Sequence, residues 1–237
     1  MPTQDLTAGD DTFPVINVVD ADIVNAGDGT DTLDLTGIVL APGERILVDL
    51  DAVNQGNFTP GVASTQSGVV RILAEDGTVL RTLEVNDFEN IIGSDNSETL
   101  FGNNETNVIE GRGGDDRIHP FGGVDTVDGG RGSDTLLLNA AGGNVTIDLE
   151  NQVAGPNTLI SIENADGGAF DDTITGDDGA NVLNGNGGND VINGQGGQDT
   201  IGLGAGADTV AFDATAIGEA PDQIADFDLD EDVFQLD

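Results

Sequence analysis

The chain has no cysteine, tryptophan or tyrosine and a single histidine, His119. Without cysteine there are no disulfides, no thiolate zinc sites and no cysteine nucleophile. No stretch approaches the roughly 18 consecutive apolar residues of a membrane-spanning helix. The opening MPTQDLTAGDD lacks the basic and apolar regions of a cleaved signal peptide, so export is expected to take another route. There is no lysine either: all six basic residues are arginine, against 45 acids, for a net charge of −39. That balance argues against nucleic acid and against anionic membrane surfaces as partners. A compact fold so charged repels itself and needs either disorder or bound cations. With 37% hydrophobic residues recurring at a fixed spacing, bound divalent cations are the better reading. No HExxH, GxSxG or P-loop motif is present, so the chain reads as a non-enzyme. With this many acids, close carboxylate pairs arise by chance, and His119 is expected to be a solvated surface residue.

What the chain has in excess is glycine, 36 residues, and its placement is periodic. Residues 185–211 read GNGGNDVIN, GQGGQDTIG, LGAGADTVA, with Asp190, Asp199 and Asp208 nine apart and Ile192, Ile201 and Val210 likewise. Two earlier nonads, GGAFDDTIT and GDDGANVLN, carry Asp172 with Ile174 and Asn181 with Leu183. A second array upstream runs GSDNSETLF, GNNETNVIE, GRGGDDRIH, PFGGVDTVD, GGRGSDTLL, giving Glu98, Asn107, Asp116, Asp125 and Asp134 in frame. Residues 88–118 align on 162–192 without a gap, at a constant offset of 74. A weaker copy near the N-terminus, AGDGTDTLD, holds Asp31 and Leu33 in the same frame, with Asp22 and Val24 one nonad earlier. Asp11-Thr12-Phe13 resembles a further turn shifted by two residues.

The first six residues of the nonad are turn formers, because glycine reaches positive φ and lets backbones approach. The last three are β-prone and alternate in direction. Each nonad should therefore be one turn and one short strand, and two nonads one coil of a solenoid. The apolar slot faces inward: Leu100, Ile109, Ile118, Val127 and Leu136 in one array, Ile174, Leu183, Ile192, Ile201 and Val210 in the other. So thin a core buries too little area, at roughly 25 cal/mol per Å², to offset chain entropy and charge repulsion. Calcium, a hard cation that takes six to eight oxygens, can supply the difference from turn carbonyls and the sixth-position carboxylate. Turns on one edge are two nonads apart, so ions are expected between Asp116 and Asp134, Asn107 and Asp125, Asp172 and Asp190, Asp190 and Asp208, and Asn181 and Asp199.

GGRGSDTLL and GNGGNDVIN resemble the RTX, or hemolysin-type, calcium-binding repeat. The tail from Ala207 resembles the segment that caps the roll in serralysin-type proteases. The resemblance implies type I secretion by an uncleaved C-terminal signal, partnership with that secretion machinery, and folding driven by extracellular calcium. Departures stand at Asn107, Asn181 and Glu98, and at Pro120-Phe121 in place of Gly-Gly. The candidate ligands are Asp31, Asn107, Asp116, Asp125, Asp134, Asp172, Asn181, Asp190, Asp199 and Asp208, with Asp226 in the tail. Turn glycines complete the set: Gly114, Gly123, Gly129, Gly130, Gly132, Gly185, Gly188, Gly194, Gly197 and Gly206. Roughly six to eight Ca²⁺ ions are expected, enough to cancel about a third of the net charge.

The expected fold is all-β: two short calcium-bound parallel β-rolls plus a partial N-terminal one, joined by strands and a hairpin. The divisions are 1–36 degenerate repeats, 37–87 strand and hairpin insert, 88–138 first roll, 139–165 strand linker, 166–213 second roll, and 214–237 cap and secretion signal. Within the insert, Val69–Leu73 and Val79–Leu83 flank Glu75-Asp76-Gly77 as a hairpin. The expected function is a secreted, structural or self-assembling surface or matrix protein. Exposed strand edges would admit end-to-end stacking into a homo-oligomer or filament. The alternative is the C-terminal calcium-binding and secretion module of a larger secreted enzyme.

Overall fold

The nonad's last three residues form strands whose middle side chain is buried, as in Thr126–Asp128, Val191–Asn193 and Thr200–Gly202. Strands eighteen residues apart pair in parallel: Ile109 lies beside Val127, and Ile192 beside Val210. Two nonads thus complete one coil, with successive strands alternating between two sheets. All ten apolar slots named above are fully buried, as is Leu33 of the N-terminal copy. The computed structural model describes residues 3–6, 8–15, 22–50, 67–138, 142–212 and 221–236. Outside them lie, among others, 51–66 of the insert, Asp213 at the end of the second roll, and 214–220 and Asp237 of the cap. Among the described residues every regular element is a strand, so the fold is an all-β parallel roll.

The chain divides into two compact units, Met1–Gly132 and Ser133–Asp237. In the first, one sheet runs across Thr3–Asp5, Asp22–Asn25, Val79–Asn86, Ser67–Leu73, Arg45–Asp49, Glu98–Asn103 and Arg117–Phe121. The other runs across Thr12–Pro14, Thr32–Asp34, Asn90–Ile92, Val108–Glu110 and Thr126–Asp128, with no strand interposed. The expected hairpin is present, its turn closed by Ala74 N–H donating to Thr78 O at 2.8 Å. Arg45–Asp49 joins it as the third strand of an antiparallel meander. That meander is spliced into one sheet, parallel to Asp22–Asn25 on one side and to Glu98–Asn103 on the other. Thr12–Pro14 pairs with Thr32–Asp34 at a separation of twenty residues, the two-residue shift seen in the sequence.

In the second unit one sheet runs across Thr135–Leu137, Asn164–Gly168, Val182–Asn186, Thr200–Gly202 and Gln223–Ile224. The other runs across Asn157–Ile160, Val153–Ala154, Thr146–Asp148, Thr173–Thr175, Val191–Asn193, Thr209–Phe212 and Val233–Leu236. Here too an antiparallel meander, Thr146–Ile160 in sequence, leads into the parallel strands. The two meanders occupy the same place in their units. Val48 pairs with Leu100 and Ile147 pairs with Ile174, and Leu100 and Ile174 are equivalent at the offset of 74. Val48-Asp49-Leu50 thus corresponds to Ile147-Asp148-Leu149. The duplication therefore reaches back before residue 88, through the meander, to the nonads holding Asp31 and Asp134. The N-terminal copy is the coil that precedes the first meander, as Asp134's nonad precedes the second.

Candidate metal centre: the stacked turns

The turns are held one on the next by the sixth-position side chain. Its Oδ1 accepts the backbone N–H of the residue eighteen earlier: Asp116 from Glu98 at 2.7 Å, Asp125 from Asn107 at 2.9 Å, Asp199 from Asn181 at 2.9 Å. Asp190 accepts from Asp172 at 2.7 Å, and Asp208 from Asp190 at 2.8 Å. Asp31 and Asp172 make the same bond to Asp11 and Val145. Four of the five expected pairs are therefore neighbours: Asn107 with Asp125, Asp172 with Asp190, Asp190 with Asp208, and Asn181 with Asp199. Asp116 and Asp134 fall in different units.

The second oxygen is the informative one. In Asp31, Asp172, Asp190 and Asp208, Oδ2 is buried and makes no hydrogen bond. Such an atom costs about 1–3 kcal/mol or more unless something positive faces it. In Asp172 and Asp190 it points into a recess beside the first glycine of the nonad. A Cβ on Gly185 would collide with Asp190 Oδ2 and stand 2.6 Å from Leu203 O of the next coil. Gly111 has the same relation to Asp116 Oδ2 and Gly129 O, and Gly167 to Asp172 Oδ2 and Gly185 O. Gly194 faces the Asp199 carboxylate. The Pro120 carbonyl takes the same place, 2.8 Å from a Cβ on Gly102, but there the side-chain oxygen is the amide Oδ1 of Asn107 and not a carboxylate.

In six of the ten nonads the turn is left-handed at positions two and four. The φ values are +74° and +105° at Arg112 and Gly114, +65° and +120° at Phe121 and Gly123, and +96° and +139° at Gly130 and Gly132. In the second unit they are +74° and +116° at Asn186 and Gly188, +66° and +105° at Gln195 and Gly197, and +98° and +147° at Gly204 and Gly206. The position-four glycines cannot be replaced easily: a Cβ on Gly188 would meet the carbonyl of Phe170.

Burial raises the carboxyls. Asp125 and Asp190 are pushed up to about 6, the latter also by Asp172 and Asp208, and Glu98 is pushed up to about 7. Asp31, Asp172 and Asp208 are raised for the same first reason. Among the described residues no three acidic or histidine side chains converge on a point. A cation here must take most of its ligands from backbone carbonyls. The donor set is all oxygen, which fits Ca²⁺ and not a metal that prefers nitrogen or sulfur.

Several other side chains are placed differently from expectation. His119 is buried, not solvated: its ring clusters with Phe101, 5.4 Å away, and Phe121, 4.5 Å away, which are themselves 6.0 Å apart. Asp226 caps the last turn, accepting N–H bonds from Leu203 and Gly204 at 2.8 and 3.0 Å. Asp222 and Asp232 act as sixth-position residues for the tail, accepting from Asp199 and Asp208. The tail thus forms a further coil through Gln223–Ile224 and Val233–Leu236. Two residues went unassigned in the sequence. Glu89 and Glu163 each clamp the backbone across the meander, accepting the N–H of Asp31 at 2.7 Å and of Asp134 at 2.8 Å. The signal for them was the Glu-Asn doublet shared at the offset of 74.

The model of the RTX calcium-binding nonapeptide repeat matches the chain in four copies, at 92–120, 101–136, 162–192 and 175–210. No curated protein matches the chain.

Proposed function

Since the chain carries RTX calcium-binding repeats across 92–136 and 162–210, we propose that it is a secreted, non-enzymatic protein whose fold is completed by calcium. One observation carries this reading. Buried aspartate oxygens without hydrogen bonds meet backbone carbonyls of the next coil beside bare glycines. Oxygens so placed repel one another until a cation stands among them. In a calcium-poor cytosol the net charge of −39 keeps the chain extended and competent for export. Outside the cell, mass action folds it. The role we assign is structural, in a surface layer or matrix, with calcium as the switch between the exported and the working form. Circular dichroism during a calcium titration tests the switch: a β-rich spectrum already complete in EDTA would sink it. Sedimentation with and without calcium tests the structural role. Calcium-dependent polymers favour it, and a compact monomer at all concentrations favours a carrier module of a larger secreted enzyme.

A further inference from the structure

The turns of the two arrays are not all alike, and the exceptions fall at equivalent places. Asn107 and Asn181 stand at the sixth position of the nonads 102–110 and 176–184, related by the offset of 74. In both nonads positions two and four lack positive φ, a trait shared with 93–101 and 167–175, so the difference lies in the sixth-position side chain. The turn is closed instead by side chains. Asn103 N–H donates to Asn107 Oδ1 at 2.9 Å, and Asp177 N–H to Asn181 Oδ1 at 2.9 Å. The amide nitrogen is used as well. Asn107 Nδ2 donates to Glu89 O at 2.6 Å and Asn103 Oδ1 at 2.9 Å. Asn181 Nδ2 donates to Glu163 O at 2.8 Å and Asp177 Oδ1 at 3.1 Å. The acceptors at position two bind their own turn too, taking the N–H of Glu105 and of Gly179.

An amide differs from a carboxylate in one respect that matters here: one end is a donor. The carbonyls of Glu89 and Glu163 belong to the coil that leaves the meander, where no glycine-rich turn stands opposite. An aspartate at this position would turn a second oxygen toward that carbonyl, and only a cation could hold the two together. The asparagine N–H removes that repulsion, and Oδ1, which lies in the recess beside the carbonyls of Pro120 and Gly194, takes the N–H of Asn103 and of Asp177 where a cation would otherwise stand.

We propose that Asn107 and Asn181 are hydrogen-bonded plugs, not calcium ligands. They let each roll restart after its meander without an ion, and they make the first turn of each column independent of calcium. The plug rests on the calcium reading above, and its test separates the two.

Calcium is counted by equilibrium dialysis on the full chain for wild type, N107D and N181D, with D190A as a reference for a lost ligand. The aspartate variants keep shape and remove the N–H, so each is expected to bind one ion more than wild type. In EDTA each is also expected to show less residual β-structure by circular dichroism. An unchanged count in both would mean that asparagine already holds an ion there, and overturns the plug. The alanine variants N107A and N181A give a second route, since loss of one ion from either overturns it as well. Should an alanine variant fail to fold, the aspartate counts alone decide. A wild-type chain that binds no calcium would overturn the calcium reading and the plug with it. No count from the asparagine variants can overturn that reading.

Discussion

An alanine at Gly185 would put a methyl group where Asp190 Oδ2 and the Leu203 carbonyl converge. We expect Gly185→Ala to weaken calcium binding by at least about tenfold, as loss of a supporting group at a metal site does. Gly142→Ala should leave it unchanged, since nothing lies within 4 Å of the added carbon. Calcium titration of both variants checks this, and equal affinities would contradict the cradle. Acid should act on the same groups with a definite sign. Burial holds Asp125, Asp190 and Glu98 at about 6, 6 and 7 in the fold, above their ordinary 3.8, 3.8 and 4.5. The calcium-free fold holds these protons more tightly than the unfolded chain does. The stability they contribute is complete below about pH 4 and is lost as pH rises through 6 to 7. In EDTA the chain should therefore gain β-structure on acidification from pH 7.5 to 4.5. With calcium present the trend reverses, because protons compete for the ligands, and affinity should fall below about pH 6. Circular dichroism and a calcium electrode across that range test both halves.

In the repeats each strand turns its apolar slot inward, so the core of a roll is a stack of single residues. Ile192→Ala opens a cavity in that stack and should cost about 2–5 kcal/mol in the calcium-bound state. Val191 beside it faces out and is 40% exposed. Val191→Ala should stay within about 0.5 kcal/mol. Denaturant unfolding in saturating calcium measures both, and equal costs would place the core elsewhere. The nine-residue period made these slots, the alternation of turn and strand, and four of the expected neighbour pairs legible before any coordinates. It could not show the meanders as equivalent. Their connections differ in length, so the constant offset breaks, and their pairing is set by hydrogen bonds between distant residues. Nor could it show the burial of His119. Its slot does face outward, but Phe101 is its neighbour on the adjacent strand and Phe121 follows two residues later on the same face. Three rings then cover one another. The plugs escaped for a different reason: Asn and Asp fill the same slot in the repeat, and only the partner of the amide nitrogen tells them apart.

For the molecule as a whole, calcium is expected to decide whether there is a fold. An ion at a hundred times its dissociation constant adds about 2.7 kcal/mol, so a few ions match the roughly 5–15 kcal/mol by which ordinary domains are stable. Removing them with EDTA should expand the chain, read as a larger hydrodynamic radius in sedimentation or light scattering. A radius that does not change would contradict calcium-driven folding. The carboxylate ladder adds a consequence of its own. Asp190 holds the backbone of Asp172 with one oxygen and faces the Leu203 carbonyl with the other. Filling one recess therefore fixes a side chain that also secures the adjacent coil. Loading of neighbouring recesses in a unit is thermodynamically coupled, as in a one-dimensional chain with nearest-neighbour terms. The calcium response of each unit should have a Hill coefficient above one, limited by the number of linked turns. Asp190→Ala, which breaks the column in its middle, should lower that coefficient as well as the affinity. The sharpness with which the protein reads calcium is then set by how many turns stand in an unbroken column.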